Sequence, residues 1–199
     1  KTETVQTALF GILVLGETVS AGALAGIVVS LVGVLLISIT RASASLRDMA
    51  RQCLDAPALL GMASGACFAV SAVGYRAAAL SLESGDFVVR AAFTLACVTV
   101  FQTAVMTVYI RLREPGQIAA VIRAWKVAGL AGLTGMLASA GWFTAVTLQN
   151  AAYVRALGQI ELLFTFAASY LIFRERPTRN EIAGVFLVAV GIVLLALSR

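Results

Sequence analysis

Apolar runs long enough to cross a lipid bilayer follow one another along the whole chain, and no soluble fold accommodates that pattern. A helix needs about 20 residues to cross roughly 30 Å of hydrocarbon. Seven runs meet or approach that length, at residues 4–15, 21–39, 58–80, 87–110, 127–148, 152–173 and 182–197. The last is brief, and the first is expected to start upstream of Lys1. Pro57, Pro115 and Pro177 all fall between runs, as they must if the runs are helices. Charged residues make up 13% of the chain and hydrophobic ones 60%, with a mean hydropathy of +0.95. A soluble domain carries about 25% charged residues. The expected fold class is therefore an all-α, polytopic bundle of transmembrane helices with the lipid bilayer as its surroundings.

The same composition removes several functional classes. A net charge of +5 is compatible with nucleic-acid binding, but the basic residues sit in short clusters between apolar runs, which is the membrane pattern. No nucleic-acid partner is expected. The chain has no histidine, and Cys53, Cys67 and Cys97 lack metal-ligand spacing. Neither a Ser/His/Asp triad nor a GxxxxGK[ST] loop is present. No enzymatic activity, metal or cofactor is expected. A seven-helix receptor or photosensor is the alternative class, although Lys1 and Lys126 both lie outside complete runs and leave no natural site for a retinal Schiff base.

Short motifs mark the ends of the runs. Thr178-Arg-Asn-Glu181 has the capping-box spacing, and Ser20 is placed to cap the second run. Residues 41–55 and 114–126 each gather apolar side chains on one helical face, Leu46, Met49, Ala50, Cys53 and Leu54 in the former and Ile118, Val121, Ile122 and Trp125 in the latter. Each reads either as a short amphipathic helix in the headgroup plane or as an ordinary solvated loop. Small residues stripe several runs (Gly22/Gly26, Gly61/Gly65 and Gly129/Gly132/Gly135), a pattern that lets helix backbones approach closely in lipid.

An internal repeat supplies the long-range organisation. Residues 1–41 align without gaps on residues 159–199, with ten identities in 41 positions. They include Glu3/Glu161, Glu17/Glu175, Gly26/Gly184 and Gly33/Gly191, and Ser20 falls opposite Thr178. Apolar composition alone does not align two glutamates and two glycines, so two copies of a helix–Glu–turn–helix unit are expected. The later copy ends a five-span block, residues 58–199; residues 1–41 are then the last two helices of a truncated first block, and residues 42–57 connect the two. On this reading the intact protein has about 300 residues and about ten spans in two inverted five-helix repeats, a common plan for secondary transporters.

Leu15-Gly-Glu17, Ser20, Gly26 and Gly33 resemble the end of an EamA repeat of the drug/metabolite transporter superfamily. Tyr153-Val-Arg-Ala-Leu-Gly-Gln-Ile-Glu161, Phe164-Thr-Phe and Phe173-Arg-Glu175 are similar again, so that the chain resembles spans four to ten of a ten-span member. The resemblance implies a carrier that exports small metabolites such as amino acids or drugs by alternating access through a central cavity, in a bacterial inner (plasma) membrane. Many relatives have a proline in the span matching residues 152–173, where this chain has Gln159-Ile-Glu161. Orientation has two answers. Eleven of the fifteen basic residues fall on one side if the spans alternate, which makes that side cytoplasmic, whereas the resemblance implies the reverse.

The candidate site residues are intramembrane polar groups. Glu161 stands ten residues into its run, roughly 14 Å from the start at 1.5 Å per residue. A carboxylate there must face protein or water, and it either binds a substrate amine or coupling proton or holds the bundle together by an interhelical hydrogen bond. Glu3 is its repeat mate. Gln159 shares a face with Arg155, one turn away; Arg155, Arg76 and Arg90 lie close enough to run ends to snorkel to headgroups. Trp142, Tyr153, Tyr75 and Gln149 line a cavity or anchor the interface. Glu161, Glu3, Gln159, Trp142, Tyr153 and Arg90 are carried forward as substrate-binding or proton-coupling candidates, with a small-molecule substrate and a coupling proton as the expected partners. Glu17 and Glu175 read as charged turns.

Overall fold

A computed structural model describes residues 3–42, 55–175 and 177–198. Every regular element among them is a helix: α1 (Glu3–Leu15), α2 (Ala21–Ala42), α3 (Ala56–Leu80), α4 (Phe87–Arg113), α5 (Gln117–Arg123), α6 (Trp125–Leu148), α7 (Ala151–Gly158), α8 (Ile160–Leu171) and α9 (Arg179–Leu197). Five of them, α2, α3, α4, α6 and α9, are long and apolar enough to cross a membrane, while α1 is apolar but shorter. The run at 152–173 is not one helix: it breaks between Gly158 and Ile160. Segment 114–126 contains the short helix α5, and most of segment 41–55 lies outside the described residues.

The chain forms two units, residues 1–73 with 150–199 and residues 74–149, and α3 runs from the first into the second. In the first unit α9 packs on α2, and α1 packs on α7. A buried cluster of Ala23, Ile27, Ala156 and Leu195 lies against Val19, Tyr153 and Leu157, and a second of Ala72, Val73 and Ala151 lies against Phe10 and Leu15. In the second unit α4 packs on α6, with Tyr75 stacked on Phe143 at 4.4 Å between ring centroids. Large apolar side chains stand exposed along both helices, among them Phe101, Leu112, Val127 and Leu130. A soluble protein does not leave so much apolar surface to water; hydrocarbon covers it here.

The contact of α2 with α9 explains four of the glycines. A Cβ on Gly26 would sit 2.7 Å from the Gly191 carbonyl oxygen, and one on Gly33 would sit 2.6 Å from that of Gly184. The reverse contacts are as close, Gly184 to the Gly33 oxygen at 2.7 Å and Gly191 to the Gly26 oxygen at 2.6 Å. Because 26 lies opposite 191 and 33 opposite 184, the helices run antiparallel. The side-chain contacts obey the same exchange. Gly26 meets Leu195 as Gly184 meets Ile37, and Gly33 meets Val188 as Gly191 meets Ser30. Replacing every residue by its partner 158 positions away turns each contact into another, the property of a self-complementary two-fold interface. Lipid tails are as apolar as leucine, so burial does little to hold this pair. Close backbone packing does the holding, and only glycine permits it. The remaining stripes differ. Gly65 admits Gln6, whereas Gly61, Gly129, Gly132 and Gly135 meet nothing within 4 Å among the described residues.

The helix ends repeat as well. α1 ends at Gly16 with φ +64°, and its equivalent, Arg174, has φ 55°. The Glu17 N–H donates to the Gly11 carbonyl at 3.3 Å, and the Glu175 N–H to the Ser169 carbonyl at 3.2 Å. The Ser169 hydroxyl also donates to the Glu175 carboxylate. These glutamates therefore belong to helix-terminating turns, as their sequence context indicates. Both predicted caps are present: Ser20 Oγ accepts from the Ala23 N–H at 3.2 Å, and Thr178 with Glu181 forms the full capping box.

Two stability predictions follow from these contacts. Gly33→Leu should destabilise the α2–α9 pair by about 3 kcal/mol through overpacking, while Gly132→Leu leaves the melting temperature of purified protein nearly unchanged. Arg174→Gly should raise that temperature by relieving a left-handed residue that costs about 1 kcal/mol; a fall would mean that the turn relies on the arginine side chain.

Candidate functional site

Polar side chains of the first unit converge where α1 meets α7. Arg155 and Gln159 are one turn apart and so face the same way, toward Glu3 and Thr4 at the start of α1. Arg155 Nη2 lies 2.6 Å from Glu3 Oε1, and the two side chains are 13% and 22% exposed. The guanidinium carbon sits 4.1 Å above the centroid of the Phe68 ring of α3, a cation–π contact that covers the flat face of the charge. Gln159, 5% exposed, donates from Nε2 to Thr4 Oγ1 at 3.1 Å. The fully buried Thr7 donates to the Glu3 carbonyl at 2.7 Å, and Gln6 Nε2 donates to the Met62 carbonyl at 3.2 Å. Gly65 leaves room for this last approach, because a Cβ there would lie 2.7 Å from Gln6 Oε1.

The site lies at an interruption of the helix. The Gln159 N–H donates to the Ala156 carbonyl at 3.1 Å, and the Leu162 N–H donates to the Gln159 carbonyl at 2.9 Å. This three-residue spacing tightens the backbone and separates α7 from α8. Gln159 itself stays in the right-handed helical region, with φ −61° and ψ −13°. Beside the junction, Thr4, Ser30 and Gln159 help to line a cavity of about 10 Å³, room for about one water molecule. The carboxamide oxygens of Gln159 and Gln6 are buried and accept no hydrogen bond from the described residues. The cluster thus combines a fixed cation, a fixed anion and two open acceptors within apolar walls.

The other candidates stand elsewhere. Glu161 occupies the first turn of α8, where its side chain is exposed and its carbonyl accepts from the Thr165 hydroxyl at 2.8 Å. Tyr153 on α7 serves the turn before α2: its phenol oxygen accepts from the Ser20 N–H at 3.2 Å and its hydroxyl donates to Ser20 Oγ at 3.4 Å. Trp142 on α6 is 40% exposed, and Arg90 on α4 is half-buried; both belong to the second unit. Gln149 ends α6, and Tyr75 is taken up by the stack on Phe143.

Two arginines depart from the expectation of snorkelling. Arg155 turns inward because Glu3 and the Phe68 ring compensate its charge more fully than a distant headgroup would. Arg76 directs one nitrogen, Nη1, at the carbonyls of Val146, Thr147 and Gln149, at 2.7, 3.2 and 2.7 Å. These belong to the end of α6, where carbonyls have no partner within the helix and no bulk water in a membrane. Sequence reasoning therefore missed Arg155, Phe68, Thr4 and Gln6 as site residues. The signal available for Arg155 was its one-turn spacing from Gln159.

Residues 56–197 match the model of the EamA-like transporter family. No curated protein and no solved structure matches the chain.

The ion pair makes an asymmetric stability prediction. Arg155→Met leaves the partly buried Glu3 carboxylate without its cation and should cost at most about 3 kcal/mol, whereas Glu3→Leu combined with Arg155→Met should cost far less. Thermal unfolding of the two purified variants in detergent checks this. Equal losses would show that the charges contribute no coupling.

Proposed function

The chain belongs to the EamA-like transporter family, and we propose that it moves small zwitterionic metabolites of the amino-acid type by alternating access, with the Glu3–Arg155 pair as the substrate-responsive element. Family membership makes the protein an integral, multi-pass membrane transporter. The observation that carries the finer reading is the partly buried ion pair at the interrupted helix. A substrate with one carboxylate and one ammonium group can exchange with such a pair. Its carboxylate takes the place of Glu3 on Arg155, and its ammonium takes the place of Arg155 on Glu3. Each protein charge then remains matched throughout, which avoids the several-kcal/mol cost of exposing one ion alone to a low-dielectric interior.

The surrounding groups support this reading. The open oxygens of Gln159 and Gln6 offer acceptors to an ammonium group, and Phe68 offers an apolar face to a side chain. Interrupted helices recur at the substrate sites of secondary transporters because freed backbone groups are tolerated where they border a cavity. The exchange symmetry of the α2–α9 contact supports two inverted repeats, which allow the two access states to be near mirror versions of one packing. A coupling proton fits the same element. Protonation of Glu3 would release Arg155 for an anionic substrate group. Glu161, the repeat mate of Glu3, is the second carboxylate assigned to coupling.

Counterflow of labelled amino acids in proteoliposomes containing the native protein tests the proposal. Glu3→Leu/Arg155→Met should insert and remain folded yet lose at least about tenfold in transport, a loss of more than 1.4 kcal/mol of transition-state stabilisation. Glu161→Gln should reduce proton-driven accumulation more than counterflow. Native transport by the apolar double variant would remove the pair from the mechanism and leave it a purely structural tie.

A further inference from the structure

The second unit carries a feature unrelated to the polar cluster. The last turns of α4 and the short helix α5 border a groove of about 380 Å³, lined by Met106, Ile110, Ile118, Val121 and Ile122 together with the uncharged polar residues Gln102, Thr103, Thr107 and Gln117. Each wall runs directly into a cation: Arg111 follows Ile110, and Arg123 follows Ile122. Arg113 and Lys126 lie two and three residues farther along the chain from these. All four cationic side chains are exposed, and Glu114 is the only acidic residue in the sequence from Phe87 to Leu148.

We infer that this groove is a binding site for an anionic phospholipid, with one acyl chain between α4 and α5 and the phosphate among Arg111, Arg113, Arg123 and Lys126. Apolar lining and exposed cations adjoin one another in the sequence of both helices. An apolar trough alone fits any neighbouring lipid, and a basic patch alone fits any anion. A trough whose two helices each carry exposed cations next in sequence to its lining fits an amphiphile with an apolar tail and an anionic head. Juxtamembrane basic residues attract anionic lipid by about 1 kcal/mol each, a factor of about five in binding. A second copy of the chain is a poorer occupant, because a two-fold contact there would set the same excess of positive charge against itself. The sequence already marks the segment, since Ile118, Val121, Ile122 and Trp125 share a helical face.

Trp125, 67% exposed and three residues beyond Ile122, is a built-in reporter. The test uses the full chain with Trp142→Phe, which leaves Trp125 as the only tryptophan, reconstituted in vesicles of phosphatidylcholine. Phosphatidylglycerol or phosphatidylcholine brominated in the acyl chain is then added. Brominated phosphatidylglycerol should quench Trp125 at about fivefold lower mole fraction than the zwitterionic lipid. Arg111→Gln with Arg123→Gln should bring the two lipids to parity, and so should high salt acting on the native sequence. Equal quenching without any substitution would reduce the groove to ordinary lipid contact and overturn the inference. So would a preference that survives both the double substitution and salt. Protection of Trp125 from both lipids, with the chain dimeric in detergent, would assign the groove to a second copy instead.

Discussion

A charge held among apolar helices must be matched by an opposite charge, and the meeting of α1 with α7 is organised by that requirement. Arg155 could reach toward headgroups, as its position near a run end allows, but Glu3 at 2.6 Å and the ring of Phe68 hold it inside. Thr4, Thr7, Gln6 and Gln159 then complete a polar layer in which neighbouring side chains and backbone groups supply what water would supply elsewhere. The interruption at Gly158–Gln159 belongs to this layer, because it places a buried carboxamide against Thr4 at the point where α7 gives way to α8. A site of this kind is costly to leave half-filled. That cost gives a doubly charged substrate its leverage under the proposed function.

Around this site the framework rests on close packing. The α2–α9 pair is drawn together at four glycines whose contacts interchange under a shift of 158 residues. Small residues accomplish this in lipid because dispersion forces and backbone approach remain available when the hydrophobic effect does not. The same exchange relates Gly16 to Arg174, Ser20 to Thr178, and the hydrogen bonds made by Glu17 and Glu175. Each of these matches has a mechanical reason: a left-handed residue to stop one helix and a hydroxyl cap to start the next. Arg174 holds the same left-handed backbone as Gly16, without the freedom that a glycine has there.

Much of this was legible in the sequence, because the signals involved are local. Apolar length marks the helices, Pro57, Pro115 and Pro177 mark their separations, and Ser20 and Thr178 mark two starts. The glycines paired in the sequence, Gly26 with Gly184 and Gly33 with Gly191, are the ones that meet across the α2–α9 contact. The partner of Arg155 was not legible, since it lies 152 positions away and is chosen by packing. The break at Gly158 was also hidden: a single glycine inside an apolar run is compatible with an unbroken helix, and only the lost hydrogen-bond register reveals the junction. The open glycines of α6 show the converse, a stripe of small residues that has no close neighbour among the described helices.

The central claim is that substrate acts directly on the Glu3–Arg155 pair. Difference infrared spectroscopy on the reconstituted native protein reads that contact, because the carboxylate stretch of Glu3 depends on what it bonds to. Addition of a transported amino acid should shift a carboxylate band that is missing from Glu3→Gln. An unshifted Glu3 band in the presence of a substrate that the same vesicles carry would contradict the account.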